Sequence, residues 1–193
     1  MTGEPDRLKW KTTNEWAGAF GDDYTARNWH AGEGRDVFWS DLLARYPRTH
    51  PILEIGCNVG ANLRWTGGWG VDVNLQAVMQ AAKLPGVIAL WASGTALPFP
   101  AEWADLVFTS GVLIHQKDPL PMMREAIRVS RRYVLAIEYA ATRTTEVKYR
   151  GEWGRLWKRN FGKMYADMGL RMLDTDFLGR PAWDDMTYWL MEK

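Results

Sequence analysis

The sequence PILEIGCNVG, residues 51–60, decides the fold class of this 193-residue chain. Its apolar start predicts a buried β-strand that leads into a turn and then into a helix. Gly56 and Gly60 would let backbone N–H groups approach a ligand without a Cβ in the way, and Asn58 is one of the few side chains tolerated at positive φ. Turns of this kind bind nucleotide-like ligands.

A second predicted strand, at residues 70–74, ends near the acidic side chain of Asp72. An acid in this position can accept hydrogen bonds from ribose hydroxyls. In a dinucleotide oxidoreductase the turn would carry a third glycine, and the acid would follow about twenty residues later. Here Asp72 comes earlier, and Glu54 in front of the turn would repel a pyrophosphate. The pattern favours S-adenosylmethionine (SAM), which has a sulfonium, an ammonium and an unphosphorylated ribose.

Strands alternate with helices along the rest of the chain. Predicted strands at 87–91, 104–109 and 133–138 are separated by helical patterns, and two amphipathic helices precede the first strand. This order predicts an α/β fold with a doubly wound, Rossmann-like and mostly parallel sheet. Two last strands, 170–177 and 186–191, are close enough in sequence to pair antiparallel.

We expect a flexible N-terminus at residues 1–13 and a single domain over 14–193. Within that domain, residues 14–50 would form a helical lid and residues 142–168 a basic insertion on the substrate side. The segment 142–163 carries seven basic side chains, interleaved with aromatic residues, against two acidic ones. Such a segment either holds an anionic substrate or is only a solvated basic face.

Composition excludes several classes of function. The formal net charge of +1 argues against a general nucleic-acid surface, and no segment approaches the roughly twenty apolar residues of a membrane span. A single cysteine excludes an internal disulfide framework, and no secretory signal is visible, so we expect a cytoplasmic protein, monomeric or homodimeric. The histidines His30, His50 and His115 lack metal-ligand spacing, which predicts no metal site.

Several motifs together resemble the class I SAM-dependent methyltransferases, and within them the small family of pseudaminic acid biosynthesis-associated methylases. They are Trp16-x-x-x-Phe20-Gly21-x-x-Tyr24-x-x-Arg27-Asn28, the turn at 54–60, VFTSGVLIH at 107–115, Glu138-Tyr139, KYRG at 148–151, and LWKRxFG at 156–162. The resemblance implies methyl transfer from SAM to an oxygen or nitrogen of a small anionic metabolite, with S-adenosylhomocysteine as product. The chain departs from such enzymes at Ser93, where an aspartate is common.

The predicted cofactor site combines the turn, the second strand and the loops after the third and fourth strands. Asp72 would bind the ribose, Glu54 the ammonium end or the turn itself, and Ser93 and Gly94 the adenine. Cys57 has no partner cysteine and is a packing residue of the turn rather than a nucleophile. The full set is Trp16, Tyr24, Arg27, Asn28, Glu54, Gly56, Cys57, Gly60, Asp72, Val73, Ser93, Gly94, Thr95, Ser110 and Gly111.

His115 follows the fourth strand and is predicted either as a general base or as a brace of its loop. Glu138 and Tyr139 leave the fifth strand at the same rim and compete for the catalytic role, with Tyr24 as a further candidate. A carboxylate acceptor would need no base. The predicted substrate-binding residues are His115, Lys148, Tyr149, Arg150, Trp157, Lys158 and Arg159. The alternative function is a non-catalytic accessory protein that binds SAM or its product.

Overall fold

The computed structural model describes residues 15–29 and 31–193. A seven-stranded sheet forms its centre, in the order β3-β2-β1-β4-β5-β9-β8. The strands are β1 (Ile52–Ile55), β2 (Gly68–Asp72), β3 (Val87–Trp91), β4 (Ala104–Ser110), β5 (Ser130–Glu138), β8 (Arg171–Leu178) and β9 (Met186–Glu192). The predictions for residues 1–13 and for His30 lie outside the described residues.

Strands β1 to β5 are parallel, whereas β9 pairs antiparallel with both β5 and β8. This confirms the predicted fold, a Rossmann-like sheet with an antiparallel C-terminal strand pair. The chain leaves β1 in one direction to reach β2 and β3, and β4 lies on the other side of β1. Such a reversal of strand order opens a crevice at the carboxyl ends of the strands, where ligands of these folds bind.

Helices cover both faces of the sheet. They are α1 (Ala19–Arg27), α2 (Asp36–Arg45), α3 (Leu63–Thr66), α4 (Leu75–Ala81), α5 (Leu120–Val129) and α6 (Phe161–Asp167), with 3₁₀ turns at Glu15–Ala17 and Leu113–His115. The helix after the cofactor-type turn, α3, has only four residues. No helix in the described part of the chain is long and apolar enough to cross a membrane.

The central strand β1 is buried along its whole length. Leu53 and Ile55 pack in the hydrophobic cluster on one face of the sheet, and Ile52 packs in the cluster on the other. Burial on both faces explains why this strand is an uninterrupted apolar run apart from Glu54. Glu54 places a carboxyl group in the interior, at the crevice where ligands of these folds bind.

The basic segment contains an element that the sequence analysis missed. Two short strands, β6 (Thr145–Glu146) and β7 (Trp157–Lys158), pair antiparallel in a separate two-stranded sheet. Strands of two residues leave no alternating pattern long enough to detect. This hairpin places the segment beside the loop that carries His115, since the Arg155 carbonyl contacts the His115 ring.

Candidate active site

A cavity of about 500 Å³ opens at the carboxyl ends of β1, β2 and β4. The turn after β1 and the ends of these strands form its base, and the first 3₁₀ turn and α1 form a wall. It brings together most of the predicted cofactor residues: Trp16, Tyr24, Asn28, Glu54, Gly56, Cys57, Asp72, Val73, Ser93, Gly94, Thr95, Ser110 and Gly111. Of the predicted cofactor residues, Arg27 and Gly60 do not line the cavity.

The turn after β1 has the backbone that its sequence predicts. Gly56 has φ +73°, and a Cβ there would lie 2.5 Å from Cγ2 of Val112 in the loop after β4. Asn58 adopts φ 46°, the left-handed conformation expected of it. Gly60 also has positive φ, at +78°, and a Cβ there would lie 2.6 Å from Leu84 Cδ1. Gly60 is therefore required by the conformation of the turn, although it does not line the cavity.

Asp72 is held in place by backbone amides. Its Oδ2 accepts a hydrogen bond of 2.8 Å from the Asn58 N–H, and its Oδ1 accepts one of 2.8 Å from the Asn74 N–H. Burial raises the pKa of Asp72, and these amide hydrogen bonds oppose the rise. Each oxygen keeps a second lone pair. The carboxylate is thus rigid and can still accept hydrogen bonds from a ligand in the cavity.

Glu54 is 2% exposed. Its Oε1 accepts a hydrogen bond of 2.6 Å from Asn62 Nδ2, whereas its Oε2 has no hydrogen-bond partner among the described residues. Burial raises the pKa of Glu54 to about 8. A buried carboxylate oxygen without a partner is costly, so this site suits a ligand that brings a donor or a positive charge.

Arg35 lines the same cavity and was not predicted from the sequence. Its Nη1 donates to Asn62 Oδ1 at 2.9 Å, its Nε donates to the Ala182 carbonyl at 3.0 Å, and its guanidinium lies 4.4 Å from the Trp183 ring centroid. Arg35 and Glu54 therefore share Asn62 as a common neighbour. Residue 35 belongs to no recognisable motif, and only the tertiary structure brings it to the crevice.

The N-terminal elements are tied to the end of β2 through Asn74, another residue that was not predicted. Its Nδ2 donates to the Trp16 carbonyl at 3.2 Å and to Asp22 Oδ1 at 2.8 Å. Its Oδ1 accepts from the Ala77 N–H at 2.9 Å and so caps α4. One side chain therefore joins the first 3₁₀ turn, α1 and α4 beside the cavity. An asparagine directly before a helix is a capping signal, but that signal says nothing of contacts to the N-terminal elements.

His115 lines the cavity from the 3₁₀ turn after β4. Its Nδ1 lies 2.6 Å from the Arg155 carbonyl oxygen. Because a carbonyl only accepts, the hydrogen-bond network assigns the proton of the neutral ring to Nδ1 and leaves the lone pair on Nε2. Burial lowers the pKa of His115, with the Arg155 hydrogen bond opposing. The imidazole is therefore neutral at pH 7.

Aromatic rings fix the orientation of this imidazole. The Trp16 ring centroid lies 4.6 Å from that of His115, and the Tyr149 ring meets it at 5.0 Å in an edge-on arrangement. Tyr24 lines the cavity beside Trp16, at 5.3 Å between ring centroids, and burial raises the pKa of Tyr24 to about 12. Tyr24 is therefore protonated at neutral pH and can act as a donor, not as a base.

Glu138 does not reach the rim that the sequence analysis predicted. It is 0% exposed, and its carboxylate accepts hydrogen bonds from the N–H groups of Val112, Leu113 and Ile114 at 3.2, 3.1 and 3.4 Å. Burial raises its pKa to about 7. Since the last residue of β5 points under the loop after β4, Glu138 positions that loop and is not accessible to a substrate.

Tyr139 was also predicted at this rim and lies elsewhere. It lines a separate cavity of about 260 Å³ together with Lys158 and Arg180, and its hydroxyl donates to Asp184. Burial and Asp184 raise its pKa far above the usual value. Side chains of successive residues in an extended backbone point in opposite directions, which separates Tyr139 from Glu138. Neither residue lines the main cavity.

Among the predicted substrate-binding residues, only His115 lines the main cavity. Arg159 is 5% exposed and donates to the carbonyls of Gln116 and Lys117 at 3.0 and 2.9 Å, so it braces the loop after His115. Trp157 is buried. The other three basic side chains each lie near an aromatic ring. The Lys148 ammonium is 5.6 Å from the centroid of the Trp153 ring, and the Arg150 guanidinium is 5.9 Å from the centroid of the Tyr149 ring. The Lys158 ammonium is 5.2 Å from the centroid of the Tyr139 ring.

The loop after β3 contributes small polar groups. Ser93 is buried, and its Oγ lies 2.9 Å from Thr95 Oγ1. Gly94 permits a close approach to the core, because a Cβ there would lie 2.5 Å from Ile55 Cγ2. On the described residues, no group of His, Cys, Asp and Glu side chains is arranged to hold a metal ion.

Comparison with known proteins is consistent with this geometry. Residues 53–136, from β1 into β5, match the family model described as a methyltransferase domain. No curated protein matches the sequence.

Solved structures share the fold at low sequence identity. A magnesium protoporphyrin IX methyltransferase from Synechocystis PCC 6803 with bound S-adenosylhomocysteine aligns with a TM-score of 0.70 and 15% identity, over 93% of this chain and 96% of that one. A SAM-dependent methyltransferase from Aquifex aeolicus aligns with a TM-score of 0.63 and 14% identity, over 87% of this chain and 97% of that one. A Haloferax volcanii structure of a putative methyltransferase in complex with the activator Trm112 aligns with a TM-score of 0.68 and 16% identity, over 89% of this chain and 94% of that one.

The fold and the cavity at its strand reversal are those of class I methyltransferases, and residues 53–136 match a methyltransferase domain. The protein is an enzyme that uses SAM as its methyl donor.

Proposed function

We propose that this enzyme transfers the methyl group of SAM to a hydroxyl oxygen or an amine nitrogen of a small anionic metabolite, with His115 as the general base. The observation that carries the proposal is the neutral His115 ring in the cavity wall, with Nδ1 hydrogen-bonded to the Arg155 carbonyl and Nε2 unprotonated. A general base in this state can remove a proton from the acceptor during transfer.

The cofactor is proposed to lie with its ribose at Asp72, where two backbone amides hold the carboxylate rigid. Its ammonium would pair with Glu54, whose Oε2 has no hydrogen-bond partner among the described residues. Its carboxylate would lie near Arg35, which completes a pair of opposite charges around Asn62. The adenine would contact Val73 and the Ser93–Thr95 loop on the β3 side of the cavity.

The methyl carbon of SAM is already activated by its positive sulfur. The residues around it therefore have to align the acceptor, exclude water and take up one proton. Trp16 and Tyr149 hold the His115 ring, and the hydrogen bond to the Arg155 carbonyl holds its tautomer. The acceptor proton would move to Nε2 as the acceptor's bond to the methyl carbon forms and the bond from that carbon to sulfur breaks, with S-adenosylhomocysteine as the leaving group. Glu138 acts indirectly, since it positions the backbone of residues 112–114.

The anionic character of the acceptor is inferred from the segment that contacts His115. Tyr149, whose ring touches that of His115, is flanked by Lys148 and Arg150. Within the described part of the chain, Lys148, Arg150 and Lys158 form no ion pair with a carboxylate. Unpaired cations beside aromatic rings suit a carboxylate or phosphate group of a substrate.

The proposal is tested by incubating the protein and methyl-labelled SAM with a metabolite extract and searching by mass spectrometry for species that gain the label. We expect at least one labelled acceptor with a hydroxyl or amine and a negative group. Wild type that binds SAM yet labels nothing would favour the accessory-protein alternative. Labelling of a carboxylate oxygen, at equal rates in wild type and His115→Gln, would overturn the role of His115.

A further inference from the structure

Arg155 contacts two parts of the candidate site. Its backbone carbonyl oxygen lies 2.6 Å from His115 Nδ1 and accepts the ring N–H. Its Nη2 lies 3.1 Å from Glu15 Oε2, and its guanidinium carbon lies 4.4 Å from the Phe20 ring centroid. Glu15 belongs to the first 3₁₀ turn and Phe20 to α1, the two elements that form the N-terminal wall of the cavity. Arg155 therefore holds His115 with its main chain and the N-terminal wall with its side chain.

The N-terminal wall also contacts the His115 ring directly. The Trp16 ring centroid lies 4.6 Å from that of His115 and 4.9 Å from that of Phe20. The contacts thus form a closed circuit from the imidazole to the wall, from the wall to the Arg155 guanidinium, and from the Arg155 carbonyl back to the imidazole. Residues that share partners in this way are energetically coupled. A wall that moved away from Arg155 would expose the His115 ring to solvent.

The local backbone does not fix the Arg155 carbonyl by itself. Arg155 lies in a bend between the tip of the β6–β7 hairpin and β7. The preceding Gly154 has φ +83°, a Cβ there would meet no described atom within 4 Å, and glycine has more backbone freedom than any other residue. The Arg155 side chain, which is 22% exposed, pairs with Glu152 at 2.9 Å as well as with Glu15. These side-chain contacts supply the constraint that the backbone lacks.

A ligand in the cavity would act on the same contacts. Glu15, Trp16 and Tyr24 of the N-terminal wall line the cavity together with His115. A ligand favours the arrangement of a protein to which it binds more tightly. A cofactor that touches the wall therefore favours the arrangement in which the wall, the hairpin and the imidazole are in contact.

We propose that Arg155 is a positioning residue, whose side chain links the N-terminal wall to the hairpin so that closure of the wall over the cofactor also buries and orients His115. Binding of SAM and burial of His115 then strengthen each other, because coupling between two equilibria is reciprocal. The consequence for catalysis rests on the proposed function of His115 as general base. The linkage itself does not.

Two substitutions separate this linkage from a simple change of charge. Arg155→Gln removes a positive charge and Glu15→Gln a negative one, so direct electrostatics would raise the pKa of His115 in the first variant and lower it in the second. Loss of the linkage exposes the ring in both variants. Since burial is the main cause of the lowered pKa of His115, exposure raises this pKa in both. Tyr149, a titratable group that also contacts the ring, is present in both.

The first measurement is an NMR titration of the imidazole signals in the full chain without ligand, with His115→Gln to identify the His115 signal. We expect the pKa of His115 to rise toward its ordinary value in both Arg155→Gln and Glu15→Gln. A pKa that falls or stays unchanged in Glu15→Gln overturns the proposal.

The second measurement is calorimetric titration with S-adenosylhomocysteine. Arg155→Gln and Glu15→Gln should each weaken binding about fivefold or more. The double variant should bind about as weakly as either single variant, because both substitutions break the same link. Additive losses in the double variant overturn the proposal.

Arg45→Gln is the matched control for both measurements. Arg45 also pairs with two carboxylates, those of Asp41 and Asp174, and its guanidinium lies 5.6 Å from the Tyr46 ring centroid. Like Arg155, it does not line the cavity. Arg45→Gln should leave the pKa of His115 and the affinity for S-adenosylhomocysteine unchanged, and effects equal to those of Arg155→Gln overturn the proposal.

Turnover of an acceptor found by the labelling experiment separates this inference from the proposed function. Arg155→Gln and Glu15→Gln should lower kcat about tenfold or more, because a displaced base no longer meets the acceptor. If His115→Gln leaves kcat unchanged, the general base fails, while the pKa and binding results still support the linkage. If His115→Gln lowers kcat and the other two variants do not, the general base stands and the positioning role of Arg155 is overturned.

Discussion

The imidazole of His115 is the residue whose chemistry most directly tests the proposed mechanism. If Nε2 accepts the acceptor proton, His115→Gln should lower kcat by roughly a hundredfold or more, the usual scale for loss of a general base, with SAM affinity nearly unchanged. The wild-type rate should rise with pH, and the midpoint of the rise should lie below the ordinary histidine pKa, because burial lowers the pKa of His115. The measurement is kcat against pH for both proteins. An unchanged kcat and an unchanged profile in His115→Gln would remove His115 from the reaction.

The raised pKa of Glu54 predicts how the stability of the ligand-free protein depends on pH. Burial raises this pKa from 4.5 to about 8, so between these pH values the folded ligand-free protein binds more protons than the unfolded chain. Stability must then fall as pH rises through this window, by up to about 1.4 kcal/mol per pH unit for one group. Glu138, whose pKa is raised from 4.5 to about 7, contributes with the same sign.

We therefore expect the Tm of the ligand-free protein to be lower at pH 8 than at pH 5. Glu54→Gln should reduce this dependence, because its amide does not titrate, and should also weaken binding of S-adenosylhomocysteine at pH 8. Scanning calorimetry across the pH range measures the first effect, and calorimetric titration measures the second. A Tm that climbs from pH 5 to pH 8 in wild type would contradict the assigned burial of these carboxylates.

At the scale of elements, Asn74 connects the first 3₁₀ turn and α1 to the sheet. Asn74→Ala removes the cap of α4, which costs about 1 kcal/mol, and also releases the Trp16 carbonyl and Asp22. If these N-terminal elements act as a lid, the variant should bind SAM about tenfold or more weakly, as expected for the loss of about two hydrogen bonds that order the wall of the site. Equilibrium binding and thermal unfolding give the two readouts.

Asn160→Ala is the matched control, because Asn160 caps α6 by accepting a hydrogen bond of 2.8 Å from the Lys163 N–H and does not line the cavity. It should lose similar stability and keep its SAM affinity. Equal effects of the two substitutions on SAM binding would mean that Asn74 matters only as a helix cap.

At the scale of the whole molecule, ligand binding should stabilise the fold. SAM or S-adenosylhomocysteine at one hundred times its Kd should raise the free energy of unfolding by about 2.7 kcal/mol, because the ligand binds only the native state. NAD should have no such effect, since its pyrophosphate brings neither a donor nor a positive charge to the buried carboxyl group of Glu54. Differential scanning fluorimetry with both ligands, on wild type and Asp72→Asn, measures the shift. The variant should lose most of it, and an NAD shift equal to that of SAM would contradict the assigned cofactor geometry.

The sequence by itself determined the order of the elements, the parallel sheet with its antiparallel end, and the turn after β1. These features depend on the periodicity of apolar residues and on the conformations open to glycine and asparagine. Both can be read from residues that are close together in the chain. The positive φ of Asn58 follows from that local pattern.

Only the tertiary structure decided which side chains face the cavity. Arg35 reaches it from the start of α2, and Glu138 turns beneath the loop of residues 112–114 instead of into the site. Arg159 contacts backbone carbonyls rather than solvent. The positions of these three side chains depend on contacts with residues far apart in the chain. Because a buried charge is costly without a hydrogen-bond partner, each of them lies where such a partner is available. Spacing along the sequence carries no record of those partners.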